Sequence, residues 1–441
     1  MFSMRQGQWF FLALICYGIY VFCPLQAHSW SPPVNHLSLV GQNASSPQIA
    51  IDSFGNAIAV WYRFDGKHLI IQASVKPFGG DWQAVPDDLS LAEQDGFNPQ
   101  IAIDPAGNAT VIWEQFHGDH SIIQASTKPY GGKWQAIPET LSLPGYNASA
   151  PRVAMDSFGN AIAVWQSSNG RHSLIQASTK PFQGKWQAVP DTLSLSDQDA
   201  THPQIVIDSY AGATVVWQSF NGKDFIIQVS SKFFQGSWQA IPEDVSLPNH
   251  HAFFPQIAVD AFGNAIIVWN QFDKDYGMIQ ASEKAFGGKW QAVPDTLSPS
   301  GRNALAPRIA IDAFGNATVV WECFDANKLK CIHASTKIFG ENWQVMPDIL
   351  SLPEDHNVNP QIAIDSMGNI LVIWNSYKGF THIYSSIKLG GGNWQAVPDK
   401  ISSPGRSAFL PQVAFDPLGN AIAIWVVQDS LSFIQAAEIL R

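Results

Sequence analysis

The chain has 441 residues, of which only 14% are charged and 12% aromatic, and a formal net charge of −11. An acidic, arginine-poor surface argues against nucleic acid and against anionic membrane as partners. Length alone suggests about three domains, but the sequence repeats itself, and a closed array of repeats is one unit.

Residues 1–27 differ from everything that follows. Arg5 precedes an apolar run, residues 9–23, and then Leu25-Gln26-Ala27. This reads as a secretory signal cleaved after Ala27. The run is shorter than a comfortable membrane span of about 20 residues. The expectation is a secreted, periplasmic or cell-surface protein with no membrane insertion after signal cleavage.

The repeat then begins. A proline followed by a short apolar strand recurs at Pro47, Pro99, Pro151, Pro203, Pro255, Pro307, Pro360 and Pro411. In the first unit, Gln48-Ile49-Ala50-Ile51 is a strand, and Asp52-Ser53-Phe54-Gly55 is a type I turn signal. A second strand, residues 57–63, carries Trp61. A third, 69–75, follows the turn Asp65-Gly66-Lys67. After Pro77-Phe78-Gly79-Gly80 a fourth segment, 82–91, contains Pro86 and so belongs at a sheet edge. The second and third strands are apolar on both faces, so both faces of each small sheet must be covered. Radial stacking of four-stranded antiparallel sheets does this. The predicted fold is all-β, an eight-bladed β-propeller.

The chain does not begin at a unit boundary. Leu37-Ser38-Leu39 matches Leu89-Ser90-Leu91, and Trp30 matches Trp82. Residues 411–441 hold three strands and lack a fourth. Residues 30–46 are therefore expected to complete the last blade and close the ring, removing an exposed edge.

The repeated polar residues read as structural. Asp52, Asp104, Asp156, Asp208, Asp260, Asp312, Asp365 and Asp416 each open the same tight turn. Gln72, Gln124, Gln176, Gln228, Gln280 and Gln435 lie inside apolar strands, where their amides need partners. His333 and Tyr384 take that place in blades six and seven. Trp61 and its equivalents read as interblade core. Trp82 and its equivalents could serve as sugar-stacking platforms, though aromatics more often pack than bind. The paired histidines His117/His120 and His250/His251 have no third ligand at a recognisable spacing, and no cofactor or metal is expected. Cys323 and Cys331 flank one hairpin, where the other blades have no cysteine, and in an exported chain they are expected to form a disulfide.

Turns joining strands one to two and three to four are nearly constant, and their phenylalanines (Phe54 and Phe78 in blade one) are expected to pack together. The hairpins joining strands two and three, with Phe64, Phe116 and Phe272, vary, as do the blade-to-blade connections. In an up-and-down blade these variable loops share one face, the candidate binding face. The residue after the repeat proline is Gln48, Gln100, Arg152, Gln204, Gln256, Arg308, Gln361 or Gln412. This first strand should be innermost, so the eight side chains should ring the axial opening. Arg152 and Arg308, with fork-shaped donors, are candidates for an anionic group of a ligand.

The segment Ile49-Ala50-Ile51-Asp52-Ser53-Phe54-Gly55-Asn56 resembles the NHL repeat, and Ile70-Ile71-Gln72 resembles that family's third strand. The turn is more loosely similar to the Asp-box of sialidase-like propellers, although Trp61 lies too far beyond Gly55. The tryptophan-bearing blades are faintly similar to quinoprotein-like propellers. These resemblances imply a propeller and no particular activity. Sialidase-type catalysis needs an arginine cluster, and no three arginines occupy matching positions in successive blades. The expected function is a non-enzymatic exported propeller that binds a protein or glycan partner through its varied face. The alternatives are a glycan-active enzyme of sialidase-like or lyase-like type, or a multivalent lectin.

Overall fold

The computed structural model describes residues 29–33, 36–39, 41–168, 170–273, 276–325, 328–353 and 355–440. The expected signal segment, residues 1–27, lies outside them. Among the described residues no helix is long and apolar enough to cross a membrane.

The chain is an all-β, eight-bladed propeller of antiparallel blades. Blade one runs through Asn43–Ile51, Ala57–Phe64, Leu69–Lys76 and Asp87–Asp88, hydrogen-bonded in that order. The next six blades repeat this order, and blade eight has Ser407–Phe415, Ala421–Gln428 and Ser432–Ile439. The first strands are Asn43–Ile51, Gly96–Ile103, Asn147–Met155, Asp199–Ile207, His251–Val259, Ala304–Ile311, His356–Ile364 and Ser407–Phe415. Each touches the first strand of the next blade, and the eighth touches the first. They therefore line a closed axis.

Each blade begins its second strand at a turn held by the repeated aspartate. In blade one, Asp52 Oδ1 accepts the backbone N–H of Phe54 and of Asn56, each at 2.9 Å, and Oδ2 accepts Asn56 Nδ2 at 2.8 Å. Asn56 Oδ1 in turn accepts the N–H of Phe78 at 3.0 Å, tying the two constant turns together. Gly55 carries a φ of +83°, and a Cβ there would come within 2.5 Å of the Phe78 ring. Glycine is thus required both by the turn and by the ring lying on it.

The core lies between blades. Trp61, Trp113, Trp165, Trp217, Trp269, Trp321, Trp374 and Trp425 are all buried. Trp61, for example, packs among Ala57, Ala59, Ile422 and Ile424, the last two from blade eight. Truncating such an indole costs about 3–5 kcal/mol.

The fourth segment is much less regular than a strand over 82–91. Only Asp87–Asp88 forms ladder pairs, with Gln72 and Ala73. Pro86 breaks the ladder before them. Single bonds, Gln83 N–H to Val75 O at 2.9 Å and Leu89 N–H to Ile71 O at 2.8 Å, continue the contact on either side.

The N-terminal segment reproduces this pattern on blade eight. Ser31 N–H donates to Glu438 O at 2.7 Å, and Leu37 N–H to Ile434 O at 2.8 Å. Ser38 Oγ accepts Ile434 N–H at 3.0 Å, as Ser90 Oγ accepts Ile71 N–H at 2.9 Å in blade one. Trp30 forms a bridge with Ile439.

The aromatics of the constant turns meet in a way that blade-by-blade reading missed. Phe54 contacts Tyr130 of the next blade with centroids 5.8 Å apart, and Phe158 contacts Phe234 at the same distance. The pairs bridge neighbouring blades because the second turn of each blade leans over the first turn of the blade before it. They stay exposed, so they form an apolar rim and not a buried satellite core.

Candidate active site on the varied face

The site begins with a backbone irregularity shared by all blades. Ser46, Asn98, Ala150, His202, Phe254, Ala306, Asn359 and Leu410, each directly before the repeat proline, have φ between 50° and 59°. The first-strand register shifts there, for example between Thr201 and Gln204. A positive φ is costly for a residue with a Cβ. Bonds between blades offset that cost. The N–H of Ala150 donates to Glu114 Oε1 at 2.9 Å, that of Ala306 to Asn270 Oδ1 at 3.0 Å, and that of Asn359 to Glu322 Oε1 at 2.8 Å. The acceptors follow the core tryptophans on the second strand of the preceding blade. The bulge therefore belongs to the scaffold. Its consequence is local: the residue at the bulge is exposed at Asn98, His202, Phe254 and Leu410 and half-buried in the other four blades.

Two neighbouring blades place chemistry there. His202 is exposed, and its ring meets Phe254 edge-on at 5.1 Å. His202 Nδ1 lies 3.0 Å from Thr201 Oγ1. Partial enclosure, and then the Arg152 charge, hold the imidazole below its ordinary value, so it is neutral at neutral pH. Arg152 is half-buried inside the channel. Its Nη1 donates to Pro151 O at 2.8 Å and its Nε to Gln204 Oε1 at 3.2 Å. Burial, followed by the Arg308 charge, brings the guanidinium down to about 10, with Glu114 acting the other way. It remains a cation. Arg308, whose Nη1 donates to Pro307 O at 3.0 Å, is pushed down by burial and held up in part by Glu322.

The two expected arginines thus share one channel, three blades apart. Phe272 belongs to an aromatic chain on blades four and five. It meets Phe253 at 5.5 Å, Phe253 meets Phe225 at 5.0 Å and Phe254 at 6.2 Å, and Phe254 leads to His202. Phe64 ends the second strand of blade one and Phe116 is the last residue but one in that of blade two, and among the described residues no ring contact joins them to this chain. Sequence reasoning missed His202 and Phe254. The readable signal was the residue before each repeat proline, which becomes histidine and phenylalanine in two adjacent units only.

Other candidates carry less. Glu114 and Glu322 are buried and occupied by backbone donors. Trp238, Trp290 and Trp394 are covered by Lys232, Lys284 and Lys388 at 5.1, 5.3 and 5.8 Å from the ring centroids, which leaves no open sugar platform on those faces. Shallow clefts recur between blades on the constant side, lined for example by Lys232, Gln239, Lys284 and Phe286. They follow the repeat and bring no histidine or arginine together. Cys323 and Cys331 face each other across the blade-six hairpin as a disulfide, with Cα atoms 5.2 Å apart. Nearby, burial followed by the Arg302 charge brings His333 down to about 4.

Scanned by sequence, the chain matches no family model and no curated protein. Its fold is similar to that of an ulvan lyase from a polysaccharide lyase family, solved bound to -[GlcA(1-4)Rha3S]-. That match has a TM-score of 0.53 and 12% identity, covering 92% of this chain and 95% of the lyase. A sialidase from Streptococcus pneumoniae matches at TM-score 0.41 and 8% identity, covering 90% of this chain and 94% of that one. An α-L-arabinanase from Penicillium chrysogenum matches at TM-score 0.43 and 11% identity, covering 78% and 93%. The expectation of a non-enzymatic binding propeller is corrected at this point. The ulvan lyase that shares the fold is a glycan-active enzyme, which favours the alternative reading over the non-enzymatic one. The chain is an eight-bladed β-propeller whose structural neighbours lie among polysaccharide lyase, sialidase and arabinanase propellers.

Proposed function

We propose that the protein is a polysaccharide lyase-like enzyme acting on a uronate-containing glycan at the varied-face mouth of the channel. The observation that carries this reading is the convergence of Arg152 and His202, a cation inside the channel beside a neutral imidazole at its rim. Elimination at a uronate needs both parts. A fork-shaped cation binds the sugar carboxylate and makes the adjacent carbon acid stronger. A neutral base of suitable strength then removes that carbon's proton. The electron pair left on carbon forms the new carbon–carbon double bond as the glycosidic C–O bond breaks. The leaving oxygen takes a proton from the imidazolium just formed, so His202 returns to its neutral state. Phe254 and Phe253 offer apolar ring surface beside the base, suited to a sugar face.

Hydrolysis by a carboxylate pair fits less well. It needs an acid and a base flanking the bond, and Glu114 and Glu322 are buried and committed to backbone donors. The ulvan lyase's saccharide contains glucuronate, which agrees with an acidic substrate class.

The test is to incubate the mature protein with a panel of uronate polysaccharides and follow the ultraviolet absorbance of the unsaturated uronate end. Product from one or more members is expected. Saturated reducing ends alone would replace elimination by hydrolysis, and no product across the panel would reject the reading.

A further inference from the structure

Blade six departs from the repeat at three neighbouring positions. Cys323 and Trp321 lie on its second strand, Ala317–Phe324, opposite Cys331 and His333 on its third, Lys330–Lys337. Alternation along the strands puts all four on one face. That face packs against Ile266, Val268, Ile279 and Ala281 of blade five. One ligand atom from each of Cys323, Cys331 and His333 lies within 4.8 Å of the others, and all three residues are buried.

His333 stands where most blades have glutamine. In blades one, four and eight that amide accepts the core indole: Trp61 to Gln72 at 3.2 Å, Trp217 to Gln228 at 3.3 Å and Trp425 to Gln435 at 3.0 Å. In blade six the indole and the imidazole meet edge-on at 5.9 Å. Trp321 Nε1 and both His333 nitrogens are buried without a hydrogen-bond partner. A histidine 3% exposed with neither nitrogen used is unusual and calls for a partner.

The geometry points to a redox-gated site for a soft monovalent cation, Cu(I), held by the thiolates of Cys323 and Cys331 and by a His333 nitrogen. Two sulfurs and one imidazole, with no oxygen donor, form a soft set. Zn(II) would require a fourth ligand, and this apolar interblade face supplies none among the described residues. In the disulfide form the sulfurs bind each other. A thiol reductant supplies two electrons and two protons, becoming a disulfide itself, and yields two cysteine thiols. Binding Cu(I) then releases those two protons to solvent. This site is independent of the glycan reading.

The test uses the full mature chain, reduced anaerobically with a phosphine reductant and titrated with Cu(I) against a chromogenic copper chelator. One equivalent should be retained, with a sulfur-to-copper absorption band and two sulfur and one nitrogen scatterers by X-ray absorption. His333→Gln restores the repeat's own residue and should fold. It should lose the nitrogen scatterer and weaken retention by at least roughly tenfold, the lower bound seen when even an outer-sphere partner is removed. Cys323→Ser matches the serine of blades three and four and should abolish retention. The proposal is overturned if the reduced chain holds no more copper than Cys323→Ser, or if His333→Gln binds as tightly. A disulfide that yields only on unfolding, or preference for Zn(II), overturns it as well.

Discussion

Arg152 Nε donates to Gln204 Oε1 at 3.2 Å, from the first strand of blade three to that of blade four. The bond spans one repeat and joins two residues at the same position of adjacent units. With Nη1 held by Pro151 O, the guanidinium plane is set from both sides.

Arg152→Gln restores the residue found in six of the eight units, so the fold should tolerate it. Activity on a uronate polysaccharide should fall by about 10²–10³ in kcat/KM, the usual loss when one preorganised charge-stabilising donor is removed. Arg308→Gln should cost less, because Arg308 lies two blades from His202 and Arg152 only one. The double variant should also lose most of the salt dependence of substrate binding. Melting curves alongside steady-state rates check both claims, and an unimpaired double variant rejects the axial-anion site.

His202 should titrate below its ordinary 6.5. The sign follows from its causes: enclosure and a neighbouring cation both disfavour imidazolium. Removing the cation therefore raises the value, and Arg152→Gln should move the midpoint upward. Proton NMR of the imidazole in both proteins measures this without requiring activity. An unchanged midpoint would separate the two residues.

Phe254→Ala should raise KM by about tenfold, equivalent to about 1.4 kcal/mol of lost ring contact, with a smaller effect on kcat. Alanine already occupies this position at positive φ in Ala150 and Ala306, so the backbone accepts it. A KM effect without a Tm effect is the expected signature.

Deleting residues 30–39 should expose the outer edge of blade eight and lower Tm by several degrees or cause aggregation. The bonds from Ser31, Leu37 and Ser38 to Glu438 and Ile434 would be lost. Size-exclusion chromatography and thermal melts decide it. A monomeric truncated protein of equal stability would remove closure as a stabilising device.

Titration of the denatured, unreduced protein should find no free thiol at Cys323 or Cys331. Reduction should cost at most about 3 kcal/mol of stability, since the closed loop is short. Two reactive thiols in the unreduced chain would count against the bridge.

Sequence by itself determined what local chemistry repeats. A proline, an Asp-x-x-Gly turn, a strand bearing tryptophan and a glutamine strand each act within one unit. The proline, aspartate and tryptophan recur eight times, the turn glycine seven and the glutamine six, and this made the blade, the blade number and the split last blade readable, because turn capping and burial pattern depend on neighbours a few residues away. The truncated fourth strand was partly legible through Pro86, and the interblade aromatic pairs were not. Only the tertiary structure decided which side chains meet across blades. Arg152, His202 and Phe254 are spaced about one repeat apart. They converge because a positive-φ bulge, held by bonds such as Ala150 N–H to Glu114, recurs before each repeat proline and leaves His202 and Phe254 exposed. Nothing in the sequence marks that bulge, since proline normally disfavours helical backbone before it. The trio of Cys323, Cys331 and His333 likewise needed the strand register, because a one-residue slip would place His333 on the opposite face.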